Sequence, residues 1–215
     1  FCADIIATYL AYKWDYDDLS RSLNTLKGEA LNTYHYRHLT ERLKLMQNLK
    51  VGATAPDFSA PDMKGKQHRL SSLVRQNKYT LLTFWASWSQ KAREENPDLV
   101  SVYNKYKSAG FNIVGVSLDD DKTAWTTAVE NDKLPWIQLC ELQAWQSKSV
   151  KSYLLKMVPY NVLIDENNKI VAFNLKPYQL RDKLAELTGS QGFVLEGEIA
   201  GLDEGVITLD LLKAD

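Results

Sequence analysis

Apolar residues recur at helical spacing over residues 1–50, and from Val51 onward they regroup into short runs separated by polar, turn-forming segments. Leu19, Leu23 and Leu26 fall on one helix face, and Leu39, Leu43, Met46 and Leu49 on another, because positions three and four apart share a face. Gly28 lies between the two stripes and predicts a break between two helices. Asp15, Asp17 and Asp18 sit where the positive end of a helix dipole favours acids. Residues 1–12 also read as helix, and a chain that opens on Phe1 is expected to be part of a longer or processed protein.

Beyond Val51 the pattern alternates between strands and helices. Gly65-Lys66 is a turn, followed by the short segment His68 to Leu73. Tyr79 to Trp85 reads as a buried strand. A helix from near Ser89 to about Gly110 contains Pro97, where a kink is expected. Phe111 to Leu118 is a second β-branched strand, and Asp119, Asp120 and Asp121 read as the capping end of a helix around Trp125 and Val129. These acids lack the alternating spacing and turn glycine of a calcium loop. Leu134 to Cys140 predicts a short strand, Ser147 to Leu155 a helix, and Tyr160 to Asp165 the next strand. Asn167-Asn168 makes a tight turn into Lys169 to Asn174, and Tyr178 to Leu187 closes the series as a helix. This order predicts an α/β sheet covered on both faces. Residues 189–192 read as a flexible joint, and Phe193 to Leu212 as a β-hairpin turning at Asp203-Glu204-Gly205. The expected units are thus 1–50, 51–188, 189–192 and 193–215.

Composition narrows the function. At 215 residues with a hydrophobic fraction of 45%, the chain can bury a sizeable core. Its formal net charge is -1 and it has no basic run, so neither nucleic acid nor an anionic membrane surface is an expected partner. No apolar stretch reaches the roughly 20 residues that span a bilayer, and no secretion signal is evident. Cys2 and Cys140 stand too far apart in sequence to suggest a metal knuckle or a disulfide framework. Cys140, inside the apolar run Trp136 to Leu142, reads as a buried, inert thiol, with a bridge to Cys2 the rarer outcome. His35 and His38 share a helix face but lack a third ligand, so packing or surface roles are expected. No metal or cofactor is implied.

The run from Leu81 to Arg93 carries the chemistry. It reads as a strand ending in the aromatic turn Trp85-Ala86-Ser87-Trp88 that opens a helix at Ser89-Gln90-Lys91-Ala92-Arg93. This resembles the W-A-x-W-C-x-x-C-R turn of the TlpA/ResA-like bacterial thiol-disulfide oxidoreductases, with Ser89 and Ala92 at the two cysteine positions. Val51 to Phe58 resembles the entry segment of TlpA-like and peroxiredoxin-like domains. Asp57, Phe84, Trp85, Trp88, Arg93, Pro97, Pro159 and Asp165 fall on characteristic positions of the family. The resemblance covers 51–188. It implies a thioredoxin fold, a central mixed sheet flanked by helices, preceded here by a helical segment and followed by a β-hairpin. It further implies a cis peptide bond at Val158-Pro159, a groove there that pairs with an extended peptide, an exposed Trp88 for partner contact, and a place in the bacterial envelope, in the periplasm. Residues 193–215 resemble the opening hairpin of the β-rich module that precedes the helices in many Bacteroidetes relatives. Standing last, that hairpin is expected of a rearranged or out-of-order chain more than of a native terminus.

A redox cysteine sits at a helix N-terminus because exposed N–H groups and the helix dipole stabilise the thiolate, and a second cysteine one turn later resolves the mixed disulfide. Ser89 keeps the place without the acidity, and an oxygen cannot form that intermediate. As a nucleophile it would need a base, and nothing in the sequence orients His68, the nearest histidine, towards it. Serine is a favoured N-cap and alanine the best helix former, so a structural reading outweighs a nucleophilic one. Arg93, Glu94 and Glu95 read as a solvated face. Trp85, Trp88, Trp136 and Trp145 read as half-buried packing before a ligand platform.

Two functions compete. One is a protein- or peptide-binding module whose redox site has degenerated, and the mixed Ser and Ala pair leans this way. The other is an active oxidoreductase or isomerase whose cysteines at 89 and 92 have been substituted. A peroxiredoxin is the weaker third, since neither cysteine occupies the peroxidatic place. Partner identity and oligomeric state stay open.

Overall fold

The computed structural model describes residues 16–189. The helix expected over 1–12, Asp15, Cys2 and the hairpin over 193–215 lie outside the described residues.

The described residues open with two helices in contact, α1 (Tyr16–Thr25) and α2 (Tyr34–Asn48), separated by a 3-10 turn at Gly28–Asn32. Gly28 adopts a φ of 62°, which glycine takes without steric cost. Leu19, Leu23 and Leu39 are buried between the helices, with Leu26, Leu43 and Met46 packed against them. Thr33 caps α2 by accepting the Tyr36 N–H at 3.1 Å. Leu49 then packs on the main core and ties this pair to the sheet-forming part of the chain.

A small hairpin, β1 (Ser59–Pro61) with β2 (Gln67–Arg69), leads through the short α3 (Leu70–Val74) into the central sheet. The sheet comprises β3 (Tyr79–Trp85), β4 (Phe111–Ser117), β5 (Ile137–Cys140), β6 (Tyr160–Asp165) and β7 (Ile170–Phe173), in the order β5-β4-β3-β6-β7. β3, β4 and β5 run parallel, while β6 and β7 are antiparallel to their neighbours. The parallel steps need crossovers, which α4 (Gln90–Tyr106) and α5 (Lys122–Asn131) supply. The short α6 (Lys148–Ser152) precedes β6, and α7 (Pro177–Thr188) follows β7. This is the mixed sheet flanked by helices of the thioredoxin fold.

Strand alternation divides the core into two faces. Leu82, Phe84, Val114, Val116, Val162 and Ile164 point to one side with Phe58, Leu70, Val74 and Tyr153. Leu81, Trp85, Ile113 and Leu163 point to the other, under Leu99, Val102 and Tyr106 of α4 and Leu180 and Leu184 of α7. Both faces are covered, as the near-continuous apolar runs of β3 and β4 require.

Several expectations need correction. The helix read over Ser147 to Leu155 is only Lys148–Ser152, preceded by a 3-10 turn at Ala144–Gln146. The third strand starts at Ile137, not Leu134. Of the three acids, only Asp121 caps α5, its carboxylate accepting from the N–H groups of Thr123 and Ala124. Asp119 is buried instead, with a role described below.

Candidate functional site

Cross-strand register builds the site. Phe84 lies opposite Tyr160, so continuing the antiparallel pairing sets Pro159 beside Trp85, where β3 ends and the aromatic turn begins. Trp85 also lies opposite Ser117 and Ser117 opposite Cys140, which gathers the ends of three parallel strands beneath that turn.

The turn is anchored by Asp119, only 2% exposed. Its carboxylate accepts the Ser87 N–H at 3.0 Å and the Ser87 hydroxyl at 2.5 Å, and the Ser117 hydroxyl also donates to it. A buried carboxylate is tolerable when it is this fully hydrogen-bonded. Cys140 joins from β5, its thiol donating to the Asp119 carbonyl oxygen at 3.3 Å. Burial pushes that thiol up to about 11, so it carries almost no thiolate near neutral pH. It is a free, buried cysteine.

Ser89 is the N-cap of α4. Its backbone is extended and its hydroxyl accepts the Ala92 N–H at 3.4 Å. Ser89 is 8% exposed and Ala92 2%. Among the described residues no carboxylate or imidazole is hydrogen-bonded to the Ser89 hydroxyl. His68, the one base the sequence offered, is engaged with Asp62 at 2.8 Å. The arrangement satisfies a helix end and has no proton acceptor in place for a nucleophilic serine.

The charges of the first α4 turns are not a solvated face. Arg93 pairs with Asp132 through two nitrogens, one bond measuring 2.6 Å, and Asn96 donates to the same carboxylate at 2.7 Å. This pairing raises the basicity of Arg93 further. Arg93 also donates to the Ser87 carbonyl oxygen at 3.4 Å, adding a second tie to the turn. Glu95 reaches Lys176 at 2.8 Å and is largely covered. Only Glu94 behaves as expected, exposed and bonded to Gln90. The expectation failed because the partners, Asp132 and Lys176, come from distant segments that the fold brings over α4.

The Val158-Pro159 peptide bond is cis. Val158 packs its side chain against the core, and none of the loop backbone hydrogen bonds among the described residues uses its N–H or C=O. Met157 just before it is 66% exposed, and Trp88 on the aromatic turn is 56% exposed. Beside Pro159 lies a cavity of about 430 Å³ lined by Lys91, Glu95, Lys156, Met157, Tyr160 and Lys176, among others. The structure therefore brings Pro159 together with Lys91 and with Glu95, which the sequence reading had placed on a solvated face. Lys156 and Lys176 gave no signal in the sequence. Trp88 is not among the lining residues.

The four tryptophans do not act as a group. Trp85 and Trp136 are core residues, the first donating its indole N–H to Gln138 at 3.0 Å and the second packed edge-on against Tyr103. Trp88 and Trp145 are partly exposed. His35 and His38 both contact the Tyr34 ring, His38 stacked on it at 6.1 Å.

Residues 51–189 match the AhpC/TSA family. Among curated proteins, the thiol-disulfide oxidoreductase ResA of Geobacillus kaustophilus is 31% identical over 120 residues, 56% of this chain and 66% of that protein. The chain therefore spans just under two thirds of that relative. Among solved structures, the C-terminal domain of a putative thiol-disulfide oxidoreductase from Bacteroides thetaiotaomicron is 34% identical with a TM-score of 0.61, over 66% of this chain and 98% of that domain. A thiol-disulfide oxidoreductase from Bacteroides fragilis is 38% identical with a TM-score of 0.59, over 62% and 98%. The sheet order, the helix-capping turn after β3 and the match over 51–189 lead to one assignment: the chain belongs to the thioredoxin-like AhpC/TSA family, among relatives of the thiol-disulfide oxidoreductases.

Proposed function

We propose that this protein is a redox-inactive, thioredoxin-like binding module that holds an extended segment of a partner protein along the surface beside Trp88, Val158 and Pro159. One observation carries the reading: the helix start where a reactive thiol would sit is filled by the capping hydroxyl of Ser89 and the buried methyl of Ala92. The remaining described thiol, Cys140, is buried and strongly deprived of its thiolate form. The binding surface is supported by the exposed side chains of Trp88 and Met157 and by the unpaired backbone of Val158, which offers a donor and an acceptor to an added strand. By family resemblance we place the module in the bacterial envelope, in the periplasm.

The second reading is a thiol-disulfide oxidoreductase that works only with cysteines at both positions. It is favoured by the intact N-terminal site of α4, whose geometry suits thiolate stabilisation. Insulin reduction by the chain as it stands and by the Ser89→Cys/Ala92→Cys double variant separates the two. Turnover by the double variant alone supports a redox scaffold that has lost its thiols, whereas turnover by the unsubstituted chain overturns the module reading. Fractionation of the source cells tests the compartment, and recovery in the cytosol would sink the envelope assignment.

A further inference from the structure

We infer that the cavity beside Pro159 is a specificity subsite for an acidic side chain of the bound peptide, with Lys91 and Lys156 as its recognition groups. This rests on the binding-module reading and adds the chemistry of the partner to it.

The charge balance of the cavity is the first argument. Lys91, Lys156 and Lys176 line it with a single carboxylate, Glu95. Glu95 is already committed to Lys176 at 2.8 Å. Among the described residues, Lys91 and Lys156 have neither an ion pair nor a side-chain hydrogen bond. Partial desolvation of its exposed side chain makes Lys156 less basic than usual, and the charge of Arg42 on α2 acts in the same direction. Two cations thus face the cavity without an anion.

Shape is the second argument. Met157, Pro159 and Leu154 supply apolar lining, and the Tyr160 ring completes it, so the cavity accepts an aliphatic stem that ends in a carboxylate. The polar groups of Asn161 are not competitors, because its amide is used in bonds to the backbone of Leu175. The location is the third. Val158, whose backbone is free to pair with an added strand, immediately precedes Pro159 on the cavity wall. In strand addition the main-chain bonds give affinity while side-chain pockets give selectivity, and this pocket selects for negative charge.

A peptide array tests both levels. Each member is an extended peptide of about ten residues containing one glutamate or aspartate, paired with its glutamine or asparagine counterpart. It is probed with the full chain and with the Lys91→Gln/Lys156→Gln variant, both lysines being solvent-facing. We expect acidic members to bind about 5–10-fold more tightly than their amide partners at low salt, and this ratio to fall below about twofold in the variant and at high salt. Equal binding of acidic and amide peptides overturns the subsite and leaves the module reading standing. An acid preference that persists in the variant overturns the assignment to these lysines. If no peptide binds, both the subsite and the module reading fail. If free acetate or phosphate binds with the same lysine dependence while peptides do not, the cavity is a small-anion site and the inference is wrong.

Discussion

Gly115 on β4 and Gln138 on β5 occupy one volume: a β-carbon on Gly115 would lie 2.2 Å from the side-chain oxygen of Gln138. That oxygen accepts the indole N–H of Trp85 at 3.0 Å, so the missing side chain on one strand lets a buried amide cross it and hold the tryptophan that ends β3. Gly115→Ala forces the Gln138 side chain away and leaves the buried Trp85 N–H without a partner. The expected loss is about 1–3 kcal/mol in urea unfolding, with Gln138→Leu costing a similar amount for the same reason. A stability unchanged in both variants would refute this account of the glycine.

Asp119 holds three donors from two segments, and removing it leaves all three without their acceptor. Asp119→Ala should therefore destabilise by about 3 kcal/mol or more, above the cost of an ordinary buried hydrogen bond. The damage should be local as well as global, since Ser87 lies next to the exposed Trp88. In residue-resolved NMR of the folded variant, the Trp88 indole signal should shift or broaden while that of Trp136, at the other end of β5 from Cys140, stays in place. Equal perturbation of both would mean that Asp119 serves the core and not the turn.

The contrast between these pairs and the strands shows what a single sequence carries. Tyr160 to Asp165 was legible to the residue because the apolar Val162, Leu163 and Ile164, with a turn pair after Asp165, admit few other readings. The turn at Ser89 was equally legible, since serine followed by a good helix former marks a cap by local chemistry. Asp119 was misread as a cap because three acids before a helix look alike until the register of β3 and β4 places Ser87 against only one of them. Arg93 with Asp132, Glu95 with Lys176 and Gly115 with Gln138 are long-range pairings that local spacing does not encode. The charged cavity stayed hidden for that reason too.

Ser89→Ala tests the cap directly. The bond to the Ala92 N–H is long at 3.4 Å, so the loss should sit at the low end of the range for an N-cap, about 0.5–1 kcal/mol by chemical denaturation. A much larger loss would reveal a second role for the hydroxyl.

The Cys140 thiol, buried and pushed up to about 11, should not react with a thiol reagent at pH 8 in the folded protein, where only about one part in a thousand is thiolate. Peptide mapping should find Cys140 labelled in denaturant and unlabelled without it. Labelling of the native protein at the rate of an exposed thiol would show that the strand ends under the turn open readily.

Asp57 gives the chain a pH dependence with a definite sign. Burial alone would raise its pKa, but the Ser71 N–H at 3.0 Å, Arg69 at 2.5 Å and the Ser71 hydroxyl at 2.8 Å together outweigh burial and hold the carboxyl below its usual range. A carboxyl lowered in the folded state binds its proton more readily when unfolded. Its stabilisation is therefore fully present above the ordinary carboxylate value near 4, and is lost as pH falls through the lower folded value. The side chain is mostly covered and joins the loop before β1 to the first turn of α3, so the effect should be visible in global unfolding. Urea midpoints measured from pH 7 to pH 3 should put Asp57→Asn about 1 kcal/mol below the unsubstituted chain at pH 7, with the difference shrinking towards pH 3. A gap that stays constant across this range would mean that the bonds to Ser71 and Arg69 do not depend on the charge of Asp57.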